Sequence, residues 1–161
     1  MQEKQFEEVF DMSIFQENTI VIDEDTSQNC DFFILELVKA FNYTIFQWND
    51  SGEFLKSSLG KYNAQATIKS VYTSEFNSED IIDDIYTQRK LGYCHISKVN
   101  VFRASTATAR DFYDYDIVVK IYKLRSGCSS KIDGSIKVFR RDKIYYDLKY
   151  KVFSDRIVYF E

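Results

Sequence analysis

Residues 31–48 read DFFILELVKAFNYTIFQW, and this stretch decides how the rest of the chain is interpreted. Its apolar side chains recur at the spacing of one helical face, and the positions that set this spacing are Ile34, Val38, Phe41, Ile45 and Trp48. The pattern predicts one long helix over 31–48 that is buried on most sides. The polar residues 49–52 then end this helix and cap a second one over 52–62.

Shorter apolar patterns flank the predicted central helix. Residues 3–16 place Phe6, Val9 and Phe10 on one stripe and predict an amphipathic helix, while residues 18–23 fit either a short strand or an extended arm. Downstream, residues 66–76 form a third helical patch. Residues 77–88 fit a fourth short helix or a loop with one helical turn. The first half of the chain is therefore predicted to be mainly helical.

After Leu91 the apolar period changes from helical to two, which is typical of strands. Four strands are predicted, over residues 93–105, 111–125, 131–141 and 142–153. The connections between the later strands have hairpin length, and residues 156–160 extend or follow the last strand. We therefore predict an α+β fold, with the N-terminal helices packed on one strongly curved antiparallel sheet of about four strands.

Length and composition are those of a single globular domain. The chain has 161 residues, 45% of them hydrophobic and 17% aromatic. We predict an N-terminal helix or arm over 1–30 and one α+β domain over 31–161. No stretch has the length of a membrane helix, so a membrane would be reached only through a segment absent from this sequence.

Charge is distributed unevenly along the chain. Residues 1–60 hold 3 basic and 12 acidic groups (3 − 12 = −9), whereas residues 101–161 hold 13 basic and 8 acidic groups (13 − 8 = +5). This asymmetry favours a protein partner or self-association, and simple solvation of a sheet face explains it equally well. The sequence pI near 5.1 argues against a dedicated nucleic-acid binder, so no nucleic acid is expected.

Residues that carry reactive chemistry are few and isolated. His95 is the only histidine, and no carboxylate near it in sequence would orient its ring, so a structural or surface role is favoured. Cys94 and His95 are neighbours on a predicted strand and would point to opposite faces. The other cysteines, Cys30 and Cys128, stand alone, so neither a metal site nor a cofactor is predicted. Asp114 and Asp116 share a strand face with Lys120 and are assigned to solvated surface.

Six residues are candidates for a pocket or an interface, and they are aromatic, basic or titratable. Tyr113 and Tyr115 lie on one predicted strand face. The full set is Trp48, His95, Tyr113, Tyr115, Arg140 and Arg141. No catalytic residue is assigned, and an enzymatic role is disfavoured.

The order of helices followed by a curved four-stranded sheet resembles the NTF2-like (cystatin-like) superfold. Within it, LVKAFNYTIFQWND (37–50) and SGEFLKSSLGKY (51–62) resemble the start of soluble domains in conjugation and type IV secretion scaffold proteins. Residues 59–62 (LGKY) match the Leu-x-x-Tyr-like segment that leads into the next helix of such domains. The resemblance implies a non-enzymatic assembly domain that binds protein partners, including itself, on the extracytoplasmic face of a bacterial membrane.

Two other functions stay open at this point. An NTF2-like small-ligand binder or enzyme predicts an open pocket with an ionisable residue in it. A phage or viral accessory protein that binds a host protein predicts a large exposed apolar patch. Without the resemblance to secretion scaffold domains, a cytoplasmic location is expected.

Overall fold

A computed structural model describes residues 2–26, 29–47, 67–70, 81–92, 97–124 and 130–161. The described residues form one mixed sheet of nine strands, four α-helices and one 3₁₀ helix. The helices are α1 Phe6–Val9, α2 Met12–Glu17, α3 Asp31–Phe41, α4 Ile85–Lys90 and the 3₁₀ helix η1 Ala109–Asp114. The strands are β1 Ile20–Glu24, β2 Ile45–Gln47, β3 Ile68–Ser70, β4 Ile81–Ile82, β5 Val99–Phe102, β6 Ile117–Lys123, β7 Gly134–Arg140, β8 Lys143–Val152 and β9 Ile157–Phe160.

The sheet has a parallel half and an antiparallel half. Its strand order is β3-β2-β4-β5-β1-β6-β7-β8-β9, with parallel pairing from β3 to β6 and antiparallel pairing from β6 to β9. The prediction of a strongly curved, NTF2-like antiparallel sheet of about four strands is therefore wrong, although the α+β class holds. Strands of the parallel half are buried on both faces, as the runs 20–22 and 99–102 show.

The predicted helix over 31–48 is two elements, and this error changes the fold. Helix α3 ends at Phe41 because Asn42 adopts a left-handed conformation (φ 57°) and donates its N–H to the carbonyl of Val38. The next strand begins at Ile45, which sits at helical spacing from Phe41 but pairs with Ile81 of β4. A helix followed by a parallel strand completes a β1-α3-β2 crossover, and this unit makes the sheet mixed.

Other segments also differ from their predicted structure. Residues 68–70 form a strand instead of a helix, and residues 77–88 contain strand β4 and the start of α4. The start of the second predicted strand, 111–125, also moves, because η1 occupies 109–114 and β6 starts only at Ile117. Residues 156–160 enclose a separate strand, β9. The predicted helix over 52–62 lies outside the described residues.

Each face of the sheet has its own apolar cluster. On the first face, α1, α2 and α3 pack aromatic rings against the sheet, and Phe6, Phe10, Phe15, Phe33 and Tyr159 lie in contact there. On the second face, Val21, Ile82, Phe102 and Val118 pack with Ile85 of α4 and Phe112 of η1. No helix in the described ranges is long and apolar enough to span a membrane.

A candidate ligand pocket on the second face

The 3₁₀ helix η1 is fixed above β6 by hydrogen bonds at its start. The carboxylate of Asp111 accepts from the backbone N–H of Thr108 at 2.7 Å and from its hydroxyl at 3.0 Å, closing a capping box. Arg89 of α4 pairs with the same carboxylate. Burial disfavours the charged form, but the bonds from Thr108 and Arg89 hold the pKa of Asp111 below its usual range. The helix is thereby anchored to its own start and to α4.

A pocket of about 520 Å³ opens between η1, strands β6 and β7, and the β7–β8 turn. Its volume lies within the range of about 300–1,000 Å³ that small-molecule sites occupy. Aromatic rings form much of its wall, and two cations and two carboxylates complete it. The lining residues are Phe112, Tyr113, Tyr115, Asp116, Val118, Lys120, Phe139, Arg141 and Asp142.

Three of the six candidate residues line this pocket. Tyr115 is buried, and burial raises the pKa of its phenol. Tyr113, in contrast, is 82% exposed and stands at the mouth of the pocket. Arg141 lies in the turn that closes the opposite side. Arg140 ends β7 opposite Ile117 and is not among the lining residues. Trp48 and His95 lie outside the described residues.

The pocket floor is shaped by a β-bulge in the β7–β8 hairpin. Val138 pairs with Tyr146, but the next residue, Phe139, pairs with Ile144, so Tyr145 has no partner across the ladder. An extra residue reverses the alternation of side chains beyond it. Ile144 therefore lies beside Phe139, a lining residue of the pocket, on the second face, and it is 54% exposed.

Lys120 brings a positive charge to the floor of the pocket. Its ammonium lies 4.4 Å from the ring centroid of Phe112 and 5.8 Å from that of Phe139. Both distances allow a cation–π interaction. On the other side, β1 places Asp23 in register with Lys120, and burial raises the pKa of this carboxyl although Lys120 acts in the opposite direction.

The two carboxylates of the pocket differ in their surroundings. Asp116 accepts hydrogen bonds on one oxygen from the N–H of Thr19 at 3.1 Å and from its hydroxyl at 3.0 Å. These bonds tie the start of β6 to the start of β1. Asp142 instead lies with Arg141 in the two-residue turn of the hairpin, and both adopt positive φ angles (64° and 48°). The Asp116 carboxylate thus links two strands of the sheet, and the Asp142 carboxylate lies at the rim of the pocket.

A second group of charges, which the sequence analysis missed, lies at the carboxyl ends of the parallel strands. Arg103 follows β5 and contacts Glu24 at 2.8 Å, Asp31 at 2.6 Å and Asp83 at 2.8 Å. Burial alone would raise the pKa of Glu24, but hydrogen bonds from the Cys30 backbone and Arg103 lower it overall. An acidic residue that ends a buried strand, as Glu24 does, is the sequence signal that indicates this group.

This edge is where ligands usually bind in open α/β sheets. Helix α3 follows β1 on the first face, and the η1 connection follows β5 on the second, so the connections of these neighbouring strands leave on opposite faces. Here the chain places its own guanidinium, that of Arg103, between the three carboxylates. Cys30 is fully buried beside it, and burial raises the pKa of its thiol well above the usual range. We assign this group to the stability of the fold.

Within the described ranges, no group of three or more His, Cys, Asp or Glu residues could hold a metal ion. No protein-family model matches the sequence, and no curated protein matches it either. The pocket on the second face is therefore the candidate functional site, because this cavity combines sufficient volume with aromatic and charged walls.

Proposed function

We propose that the protein binds a small molecule in the pocket between η1 and the β6–β7–β8 sheet. The observation that carries the proposal is a concave space of about 520 Å³ with walls of both apolar and charged side chains. Pockets of this size and lining bury most of the surface of a drug-sized ligand. The exposed ring of Tyr113 at the mouth offers a flat surface for a planar ligand.

The proposal assigns binding and no reaction. A general base must lie within hydrogen-bond reach of the proton that it removes, and its own orientation must be fixed. Of the two pocket carboxylates, Asp116 already accepts two hydrogen bonds from Thr19, and Asp142 sits in the exposed turn. Neither is paired with a described histidine or cysteine, so the arrangement favours recognition over acid–base chemistry.

A fragment library screened by ¹⁵N–¹H correlation spectra tests this proposal. Binding fragments are expected to shift the amide signals of Phe112, Tyr115 and Val118. Val118→Trp places a large ring inside the pocket and should abolish these shifts, while Lys149→Trp adds the same ring to exposed β8 and should leave them unchanged. Val118→Phe is a smaller filling variant if the tryptophan prevents folding. Shifts that persist in both filling variants, or fragments that never touch these residues, would contradict the proposal.

Contact with another protein is a second candidate, and exposed apolar side chains favour it. Tyr113 lines the pocket, Ile144 and Tyr145 lie at the start of β8, and each of the three is at least half exposed. Exposed apolar patches are common at interaction sites. Nothing in the described fold supports the narrower assignment to a conjugation or secretion apparatus, which stays a prediction drawn from the resemblance.

Self-association is the form of this candidate that can be tested with the protein alone. Sedimentation velocity over a concentration series should show an oligomer that the double variant Ile144→Lys, Tyr145→Lys disrupts. The matched double variant Lys149→Ala, Lys151→Ala changes the same strand away from the patch and should leave the oligomer intact. A protein that stays monomeric at every concentration would remove self-association from consideration.

A further inference from the structure

The charge on the pocket floor indicates what kind of ligand the pocket takes. Among the described residues, Lys120 forms no ion pair, whereas its neighbour Lys137 pairs with Asp147 at 3.3 Å. The ammonium of Lys120 instead lies above the ring of Phe112 and lines the cavity. Asp23 on β1 is in register with Lys120 and attracts its charge, but in the described part of the chain no carboxylate forms a salt bridge with the ammonium. An anion that enters the pocket can therefore form a charge-assisted hydrogen bond with Lys120.

The register of the sheet places Lys120 between an opposite charge, Asp23 on β1, and a like charge, Lys137 on β7. Lys120 on β6 and Lys137 on β7 are directly opposite each other in the antiparallel pair. Like charges at directly opposed positions are destabilising. Asp147 on β8 offsets the charge of Lys137. Because β7 lies between β6 and β8, Asp147 is farther from Lys120 than Lys137 is. An anion bound at Lys120 would offset the part of this repulsion that Asp23 and Asp147 leave.

The walls around Lys120 select for an aromatic body as well as an anion. Phe112 and Phe139 both lie near the ammonium, and Tyr113 and Tyr115 line the same cavity. Aromatic rings stack on one another in offset or edge-to-face arrangements. A planar ligand can contact these rings while an acidic group at one end reaches Lys120, and Arg141 adds a second cation at the rim.

We infer that the pocket binds a small aromatic molecule with one anionic group, and that Lys120 is the residue that selects for the anion. The inference rests on the proposed function, because it names the ligand class of the same pocket. A carboxylate, a sulfonate and a phosphate monoester share the required chemistry.

Three sets of probes separate the contributions of ring and charge. The aromatic anions are 1-naphthoate, 1-naphthalenesulfonate and 1-naphthyl phosphate. The neutral aromatic probe is 1-naphthol, and the anion without a ring is methanesulfonate. Titrations followed by amide shifts of Phe112, Val118 and Phe139 should give measurable dissociation constants for the aromatic anions. Binding of 1-naphthol and methanesulfonate should be at least tenfold weaker.

Matched variants test the role of Lys120. Lys120→Met should weaken binding of the aromatic anions roughly 10- to 100-fold, as expected for loss of a hydrogen bond to a charged group, and should leave 1-naphthol unaffected. Lys120→Arg keeps the charge and should keep binding within a few-fold. This variant still tests the role of the charge if Lys120→Met does not fold. Lys149→Met removes the same charge from an exposed position on β8, outside the pocket lining, and should have little effect.

The outcomes distinguish this inference from the proposed function. Equal binding of 1-naphthol and the naphthyl anions, or no loss of affinity in Lys120→Met, would overturn the anion inference and leave a ligand pocket. If no fragment of any class shifts the pocket residues, the proposed function itself is wrong. A preference among the three anions would identify which acidic group the pocket fits best.

Discussion

Gly134 and Tyr150 face each other across β7 and β8 so closely that a Cβ atom on Gly134 would lie 2.6 Å from the phenolic oxygen. The same atom would lie 2.6 Å from the backbone carbonyl oxygen of Tyr122, on the other neighbouring strand. Backbone cannot move aside as a flexible side chain can. The Tyr150 ring also stacks on Phe32 of α3, at 4.3 Å between ring centroids, so helix and sheet meet at this glycine.

Gly134→Ala is therefore expected to lower the free energy of unfolding by about 1–3 kcal/mol, which is typical of overpacking in a closely packed site. Urea unfolding monitored by circular dichroism measures the change. Lys149→Ala, an exposed position next to Tyr150, serves as the control and should change stability by about 0.5 kcal/mol or less. An unchanged midpoint for Gly134→Ala would show that the strands have room to separate.

Arg103→Met should destabilise the protein by about 3–5 kcal/mol, because it leaves three largely buried carboxylates without the guanidinium that contacts them. The control is Arg156→Met, which removes an exposed arginine whose ion pair with Asp155 spans 3.5 Å and should cost less than about 1 kcal/mol. Chemical unfolding at neutral pH compares the two. Equal losses would mean that the carboxylates find other partners or water when Arg103 is absent.

Glu36 predicts a specific pH dependence of stability. Burial raises the pKa of this carboxyl from 4.5 to about 7, with Lys39 lowering it and Glu7 raising it further. Because the folded-state pKa is the higher one, the protonated form favours folding. This contribution is complete below pH 4.5 and is lost as pH rises towards and through 7. Near pH 8 the loss should approach about 3 kcal/mol, from roughly 1.4 kcal/mol per pKa unit.

Glu36→Gln isolates this effect. The variant should be more stable than the original protein at pH 8 and similar to it at pH 4.5, with the difference growing between these values. Thermal or urea unfolding across this pH range measures it, and Glu17→Gln, at an exposed position on α2, controls for the general change in net charge. A difference that does not vary with pH would show that Glu36 is already ionised at low pH in the folded protein.

The turn between β7 and β8 offers a stabilising change. Arg141 and Asp142 both adopt positive φ, as a two-residue type I′ turn requires, yet Asn-Gly is the pair that adopts this turn most easily. Replacing both residues with Asn-Gly should raise the free energy of unfolding by about 1 kcal/mol, because Asn and Gly adopt the left-handed region at less cost. Chemical unfolding measures the change, and Asp155→Asn, in the next turn along the chain, is the control. A loss of stability would indicate that Arg141 or Asp142 makes contacts that outweigh the backbone strain.

Local periodicity was sufficient to predict the β7–β8 hairpin, because its strands alternate core and solvent residues and are joined by a short turn. It failed at Ile45, where a buried parallel strand and a helix give the same apolar spacing. It failed again at β4, because two residues are too few to show any period. Short parallel strands are defined by their neighbours in the sheet, which the local sequence does not contain.

Part of the candidate site was also predictable from the sequence. Tyr113, Tyr115 and Arg141 were candidates because they are aromatic or basic residues in predicted strands. The two tyrosines, however, were predicted to lie on a strand that begins only at Ile117. The bulge that brings Ile144 beside Phe139 carries no sequence mark that we recognise. The Arg103 group joins residues that lie 79, 72 and 20 positions apart, so only the completed sheet brings its charges together.

The central position of β1 has a consequence for how the chain is made. This strand is the first to leave the ribosome, yet both of its neighbours, β5 and β6, come roughly a hundred residues later, and β6 ends at Lys123. Contacts between distant parts of a chain form slowly because a long loop must close first. Ile20, Val21 and Ile22 therefore stay without strand partners until residues 99–102 and 117–123 have been made. A nascent chain that stalls before residue 99 would expose an apolar strand with two unpaired edges, which is the form most prone to aggregation.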